Sequence, residues 1–177
     1  LPEDARRRGV IAASAGNHAQ GIAYHASLLG IPATVVMPKF AALIKVTNCR
    51  TLGAKVILHG ADIGEARTLA EELAARDHLT FIHPFDNLDV MAGQGTMGLE
   101  ILEQTPGVDA IVIPVGGGGL IAGIGTAVKA KRPEVEIVGV EVQRFPSMYH
   151  AIRGTKPEFA ASTIADGIAV KEPGKLT

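Results

Sequence analysis

The chain is predicted to be an α/β protein with doubly wound parallel sheets, arranged as two three-layer α/β/α units. Three observations carry that prediction. Short apolar runs alternate with longer stretches of helical periodicity, the pattern of βαβ units. One of those runs, Ala110 to Val115, is β-branched and apolar throughout, as expected for a strand covered on both faces. Glycine makes up 21 of 177 residues, about 12% against a typical ~7%. The excess falls at strand ends and turns, where a tight connection or a ligand requires it.

The elements follow in order. Leu1 to Gly9 (LPEDARRRG) reads as the end of a polar helix, and Gly9 to Ala13 as a short buried strand. Ser14 to His18 is the next turn. An alanine-rich helix, Ala19 to Leu29, ends at Gly30, the residue type favoured just past a helix. Ala33 to Met37 is a strand stopped by Pro38, Leu43 to Leu52 a helix stopped by Gly53, and Lys55 to His59 a strand. Ile63 to Arg76 is the clearest amphipathic helix: Ala66, Leu69, Ala70 and Leu73 share one face, and the charges lie largely opposite. Thr80 to His83 is a strand ended by Pro84.

A second unit then begins. His83 to Asn87 is turn chemistry, placing a boundary near residues 86–90, with domains over 1–88 and 89–177. Asp89 to Glu103 is a long helix, Ala110 to Val115 a strand, Leu120 to Lys131 a helix, and Glu136 to Val142 a strand. Ser147 to Ile152 reads as a short helix, Gly154 to Ser162 as a surface loop, and Thr163 to Val170 as a strand or extended stretch.

Composition excludes several classes. The apolar fraction is 47%, the net charge −1, and aromatic residues only 4%. No basic patch or stacking platform for nucleic acid is visible. No apolar run approaches the ~20 residues that span a bilayer, and no signal peptide is seen. The single cysteine, Cys49, forms no internal disulfide and fits a reducing cytosol.

The chemistry concentrates in glycine-rich turns. Gly116, Gly117, Gly118 and Gly119 stand between the Ala110 strand and the helix opening at Leu120. Backbone without Cβ atoms, followed by a helix N-terminus, forms a site for an anion, with phosphate as the natural guest. Gly93 to Gly98 spells G-x-G-x-x-G, but no strand precedes it as the dinucleotide fingerprint requires. Close packing of the helix against the sheet is the expected role there. Gly117 to Ala122 fits the looser G-x-G-x-x-A after a strand, with Glu141 placed to hold a ribose hydroxyl, so a dinucleotide-binding oxidoreductase is a competing reading. Ser14, Ala15, Gly16, Asn17 and His18 follow a strand and open a helix. Ser14 or Asn17 could be an N-cap, or the turn could offer amides to a carboxylate or phosphate. The six histidines show no metal-ligand spacing, and no nucleophile elbow is present.

Taken together, Ser14-Ala-Gly-Asn-His-Ala-Gln-Gly21, Ala92-Gly-Gln-Gly-Thr96, Pro114-Val-Gly-Gly-Gly-Gly-Leu120 and Ala165-Asp-Gly-Ile-Ala-Val170 resemble the fold-type II pyridoxal-phosphate enzymes. Within them the chain is similar to the threonine/serine dehydratase (threonine ammonia-lyase) branch, over essentially its whole length. The resemblance implies a tryptophan synthase β-like fold and pyridoxal 5′-phosphate as cofactor. Gly116, Gly117, Gly118, Gly119 and Leu120 would hold its phosphate, and Asn17 its ring hydroxyl. Ser14, Ala15, Gly16 and His18 would take the carboxylate of a small amino-acid substrate. Domain 1–88 would be small and mobile, and 89–177 part of the larger cofactor domain. Implied too are α,β-elimination of water giving a 2-keto acid and ammonia, a role in amino-acid metabolism such as isoleucine biosynthesis, a cytoplasmic location and a homo-oligomer.

Departures from the family pattern matter as much. The Schiff-base lysine motif, expected upstream of the asparagine turn, is missing, so no catalytic residue lies in this chain. The C-terminal serine or threonine that faces the pyridine nitrogen is missing as well. The chain starts at Leu1 and stops after a Pro-Gly turn. It reads as a central fragment, inactive alone, and a non-catalytic ligand-binding module is a further alternative. Serine racemases carry serine where Ala15 stands, so elimination is favoured over racemisation. Glu141 matches a metal-binding glutamate of some relatives, but Ser147 replaces the partner aspartate; no metal site is expected.

Overall fold

A computed structural model describes residues Leu1–Thr177 and divides them into two compact units, Leu1–Pro84 and Phe85–Thr177. The first contains α1 (Glu3–Arg8), β1 (Val10–Ala13), α2 (Asn17–Leu28), β2 (Ala33–Met37), α3 (Leu43–Thr51), β3 (Lys55–Leu58), α4 (Ile63–Asp77) and β4 (Thr80–Phe81). Its four strands are parallel in the order β3-β2-β1-β4. Alternation along the strands divides the core into two layers. Val35 and Met37 pack with Ala19 and Ala23 of α2 and Val46 and Cys49 of α3. Ile11, Ala13 and Val36 pack with Ala66 and Ala70 of α4 on the opposite side. This is a three-layer, doubly wound unit. Asp62 accepts the Glu65 N–H at 3.0 Å, and the Glu65 carboxylate accepts the Ala61 N–H at 3.0 Å, a reciprocal cap at the start of α4.

The second unit contains α5 (Leu88–Gln104), β5 (Ala110–Pro114), α6 (Gly119–Lys131), β6 (Glu136–Val140), α7 (Ser147–Arg153) and a 3₁₀ turn at Asp166–Ile168. Here β5 and β6 form a parallel pair. Ile111 and Ile113 turn inward onto Ile124 and Val128 of α6 and Ile101 and Leu102 of α5. The other face is open, with Val112 66% and Val140 48% exposed. The apolar run predicts cover on both faces; in this unit the helices cover one. Residues 163–170, predicted as a strand or extended stretch, pair with no strand and contain the 3₁₀ turn instead.

Helices α5 and α6 meet on glycine. A Cβ on Gly95 would lie 3.1 Å from the Gly123 carbonyl oxygen, and one on Gly98 3.1 Å from that of Ile124. Hence the G-x-G-x-x-G letters do serve close packing, as predicted, but against a neighbouring helix rather than the sheet. Small residues at a helix crossing bring two backbones together, and this crossing sets where the N-terminus of α6 stands.

Candidate functional site

In the first sheet the chain winds from β1 through β2 to β3, then returns by α4 to place β4 on the other side of β1. The switch point therefore lies between β1 and β4, and in open α/β sheets ligands bind beyond the carboxyl ends of the strands at that point. Ser14 to His18 is the turn leaving β1 there. Gly16, not Ser14 or Asn17, is the N-cap of α2, and no side chain caps the helix. The Ser14 hydroxyl instead accepts the Gly16 N–H at 3.1 Å, folding the turn on itself. Asn17 is exposed as the first helical residue, and Ala15 is half-buried. The first-turn amides of α2 are thus left for an acceptor from outside.

His18 ties the turn to the neighbouring strand. Its Nε2 lies 3.0 Å from the Ile82 carbonyl oxygen, just beyond β4, so Nε2 carries the proton and donates. Burial pushes the imidazole below its ordinary pKa, against a smaller upward pull from that carbonyl. The unfolded chain thus binds the proton more readily than the folded one. The stability contributed is present above the ordinary histidine value of about 6.5. It is lost as pH falls from there toward the depressed folded value. Thermal unfolding from pH 8 to 5 is expected to show this loss, and His18→Gln, which keeps a donor without titrating, to flatten it. An unchanged pH profile in the variant would remove His18 as the cause.

The second turn, Gly116 to Leu120, leaves β5 and enters α6. Gly118 is the N-cap in a left-handed conformation (φ 95°), and again no side chain caps the helix. By contrast α4 is capped by Asp62 and α5 by Asn87. Backbone of this shape gathers successive N–H groups into an anion-binding hollow. Gly117, Gly118 and Gly119 are buried, and the chain leaves no room for side chains on them. A Cβ on Gly117 would meet the Phe85 ring at 2.4 Å, and one on Gly119 the Phe85 Cα at 2.8 Å. These uncapped, side-chain-free amides fit the phosphate of a pyridoxal cofactor.

Glu141, the cation-ligand and ribose-holder candidate, does something else here. Its carboxylate accepts the Met148 N–H at 2.7 Å and the Tyr149 N–H at 2.6 Å, capping α7. No group of three or more His, Cys, Asp or Glu side chains is placed to hold a metal ion. Lys45 is half-buried and the other lysines are exposed. The walls of the second turn, Phe85, Met148 and Thr177, escape sequence reasoning. The local signals near them are the His83-to-Asn87 turn, the short helix predicted over Ser147 to Ile152 and the Pro173-Gly174 turn.

Residues 2–177 match the family described as pyridoxal-phosphate dependent enzyme. The chain is 51% identical over 179 residues to an L-threonine ammonia-lyase of Thermotoga maritima, covering 100% of this chain and 45% of that protein. A catabolic L-threonine dehydratase of Staphylococcus aureus is 48% identical over 100% of the chain and 52% of its own length. The chain thus spans about half the length of these curated relatives. Among solved structures, the processed form of threonine deaminase isoform 2 from Solanum lycopersicum superposes with a TM-score of 0.91 at 44% identity, covering 99% of this chain and 49% of that one. Serine racemase from Dictyostelium discoideum gives 0.88 at 34% identity, over 100% and 57%. No helix is long and apolar enough to cross a membrane. With the match running from residue 2 to the last, and with two uncapped glycine turns at strand ends, the chain belongs to the pyridoxal-phosphate dependent enzyme family.

Proposed function

We propose that the chain is the ligand-holding part of an L-threonine or L-serine dehydratase that uses pyridoxal 5′-phosphate. The observation that carries the reading is its likeness over its whole length to an L-threonine ammonia-lyase, at 51% identity. The uncapped amides at Gly118 and the start of α6 take the cofactor phosphate. Asn17, exposed at the start of α2, takes the ring hydroxyl, and the Ser14-to-His18 turn takes the substrate carboxylate. His18, neutral and tied to Ile82, fixes that turn and brings no charge to it. Ala15 has no proton to donate, which favours loss of the β-hydroxyl over return of a proton to Cα. When bound, the cofactor supplies an electron sink for loss of the Cα proton. The amino-acid substrate, a cytoplasmic location, assembly into a homo-oligomer and a place in amino-acid metabolism, isoleucine biosynthesis included, belong to this proposal.

A dinucleotide reading loses its main support, because the Glu141 carboxylate caps α7. The full-length protein is expected to release a 2-keto acid and ammonia from L-threonine or L-serine only when supplied with pyridoxal 5′-phosphate. Conversion of L-serine to its mirror form with no keto acid would replace dehydratase by racemase. Quenching of NADH fluorescence, with no visible cofactor absorbance, would overturn the family-based reading of the site.

A further inference from the structure

We infer that the segment Gly174–Thr177 is a clasp that sets the phosphate-holding turn, with Thr177 as a positioning residue; this rests on the reading that the turn takes the cofactor phosphate. The Gly117 carbonyl oxygen accepts two hydrogen bonds from this segment. One comes from the Gly174 N–H at 3.0 Å and the other from the Thr177 hydroxyl at 2.7 Å. The segment is itself anchored, since the Leu176 N–H donates to the Asp86 carboxylate at 2.8 Å. Residues 86, 117 and 174–177 are thereby joined in one hydrogen-bonded set.

The consequence follows from peptide geometry. The chain contains no cis peptide bond, and in a trans peptide the C=O and the following N–H point in opposite directions. Two donors on the Gly117 oxygen fix that peptide plane and turn the Gly118 N–H away from the clasp. Gly118 is the residue at φ 95° that caps α6, so its amide is the one the left-handed turn presents. A glycine run left to itself has wide backbone freedom. Holding the peptide in advance removes an ordering cost that an anion would otherwise meet on binding.

The local packing leaves little latitude. A Cβ on Gly174 would lie 2.4 Å from Asp86 Oδ1, and one on Gly118 2.7 Å from Thr177 Oγ1. The clasp touches the turn on its carbonyl side and on the Cβ side of Gly118. Thr177 acts on the phosphate through the Gly117 peptide.

The test uses the cofactor-free full-length protein with two probes, pyridoxal 5′-phosphate and pyridoxal, which differ by the phosphate. Binding is followed by cofactor absorbance, and folding by circular dichroism. Thr177→Val keeps the shape and removes the donor. Its affinity for the phosphorylated probe is expected to fall about five- to tenfold, the scale of one hydrogen bond, while that for pyridoxal stays level. Thr177→Ser should restore the difference. Gly174→Ala, which drives the amide off the Gly117 oxygen, should reproduce the selective loss if Thr177→Val fails to fold. Equal losses for both probes, or none, would overturn the clasp. If the unaltered protein binds both probes equally, the turn does not hold phosphate, and the functional reading fails with it; a preserved phosphate preference with silent variants sinks the clasp alone.

Discussion

Gly123→Ala is expected to destabilise the second unit by about 3 kcal/mol, the upper part of the usual cost of overpacking. The new Cβ would stand 2.2 Å from the Met91 carbonyl oxygen and 2.8 Å from the Gly95 amide nitrogen. Both are backbone atoms inside α5, and neither can swing aside as a side-chain end can. The helices must part, and Gly95 and Gly98 lose their close approach to the Gly123 and Ile124 carbonyls. Because α6 carries the glycine turn at its N-terminus, the variant should weaken cofactor binding as well. Gly93→Ala provides the contrast. Nothing lies within 4 Å of a Cβ there, and alanine in a helix interior is favoured by roughly 0.5–1 kcal/mol over glycine. Urea unfolding of the two variants should shift in opposite directions; equal midpoints would mean the seam is not closely packed.

Gly118→Ala is expected to lower affinity for pyridoxal 5′-phosphate by about a hundredfold, or roughly 2.7 kcal/mol. Two effects add. Alanine at φ 95° is strained, at a cost of roughly 1–2 kcal/mol. Its Cβ would also stand 2.4 Å from Met148 Cε and 2.9 Å from Thr177 Cβ. Met148 is flexible and can retreat, but Thr177 is held by its hydrogen bond to Gly117, so relief comes by turning the peptide. That movement takes the amide from its place at the head of α6. Titration of the cofactor-free full-length protein should read the loss directly. An affinity within threefold of the unaltered protein would show that the turn does not bind the phosphate through this residue.

Much of the fold is legible in single stretches. The run of Ala33 to Met37 ends at a proline, and the strand ends where the run does. The amphipathic pattern from Ile63 sets out α4. A strand followed by four glycines and a helix marks the second turn. These signals are local: periodicity, propensity and turn chemistry act within a few residues.

Other features depend on residues far apart in the chain. Glu141 has the spacing of a ribose or cation ligand, yet its carboxylate caps a helix seven and eight residues later. The same letters at Gly93, Gly95 and Gly98 hide one open position and two tight ones, because only the crossing with α6 tells them apart.

By itself the sequence determined the order of strands and helices, the two turns that leave β1 and β5, and the family to which they point. Each of these is encoded in the residues that form it. The tertiary structure alone decided that β1 and β4 are neighbours bridged by His18, that α5 and α6 touch through glycine, and that Thr177 holds the Gly117 carbonyl 60 residues away. Contacts at that separation arise from packing of the whole unit, where volume and hydrogen-bond geometry select partners that no local pattern specifies.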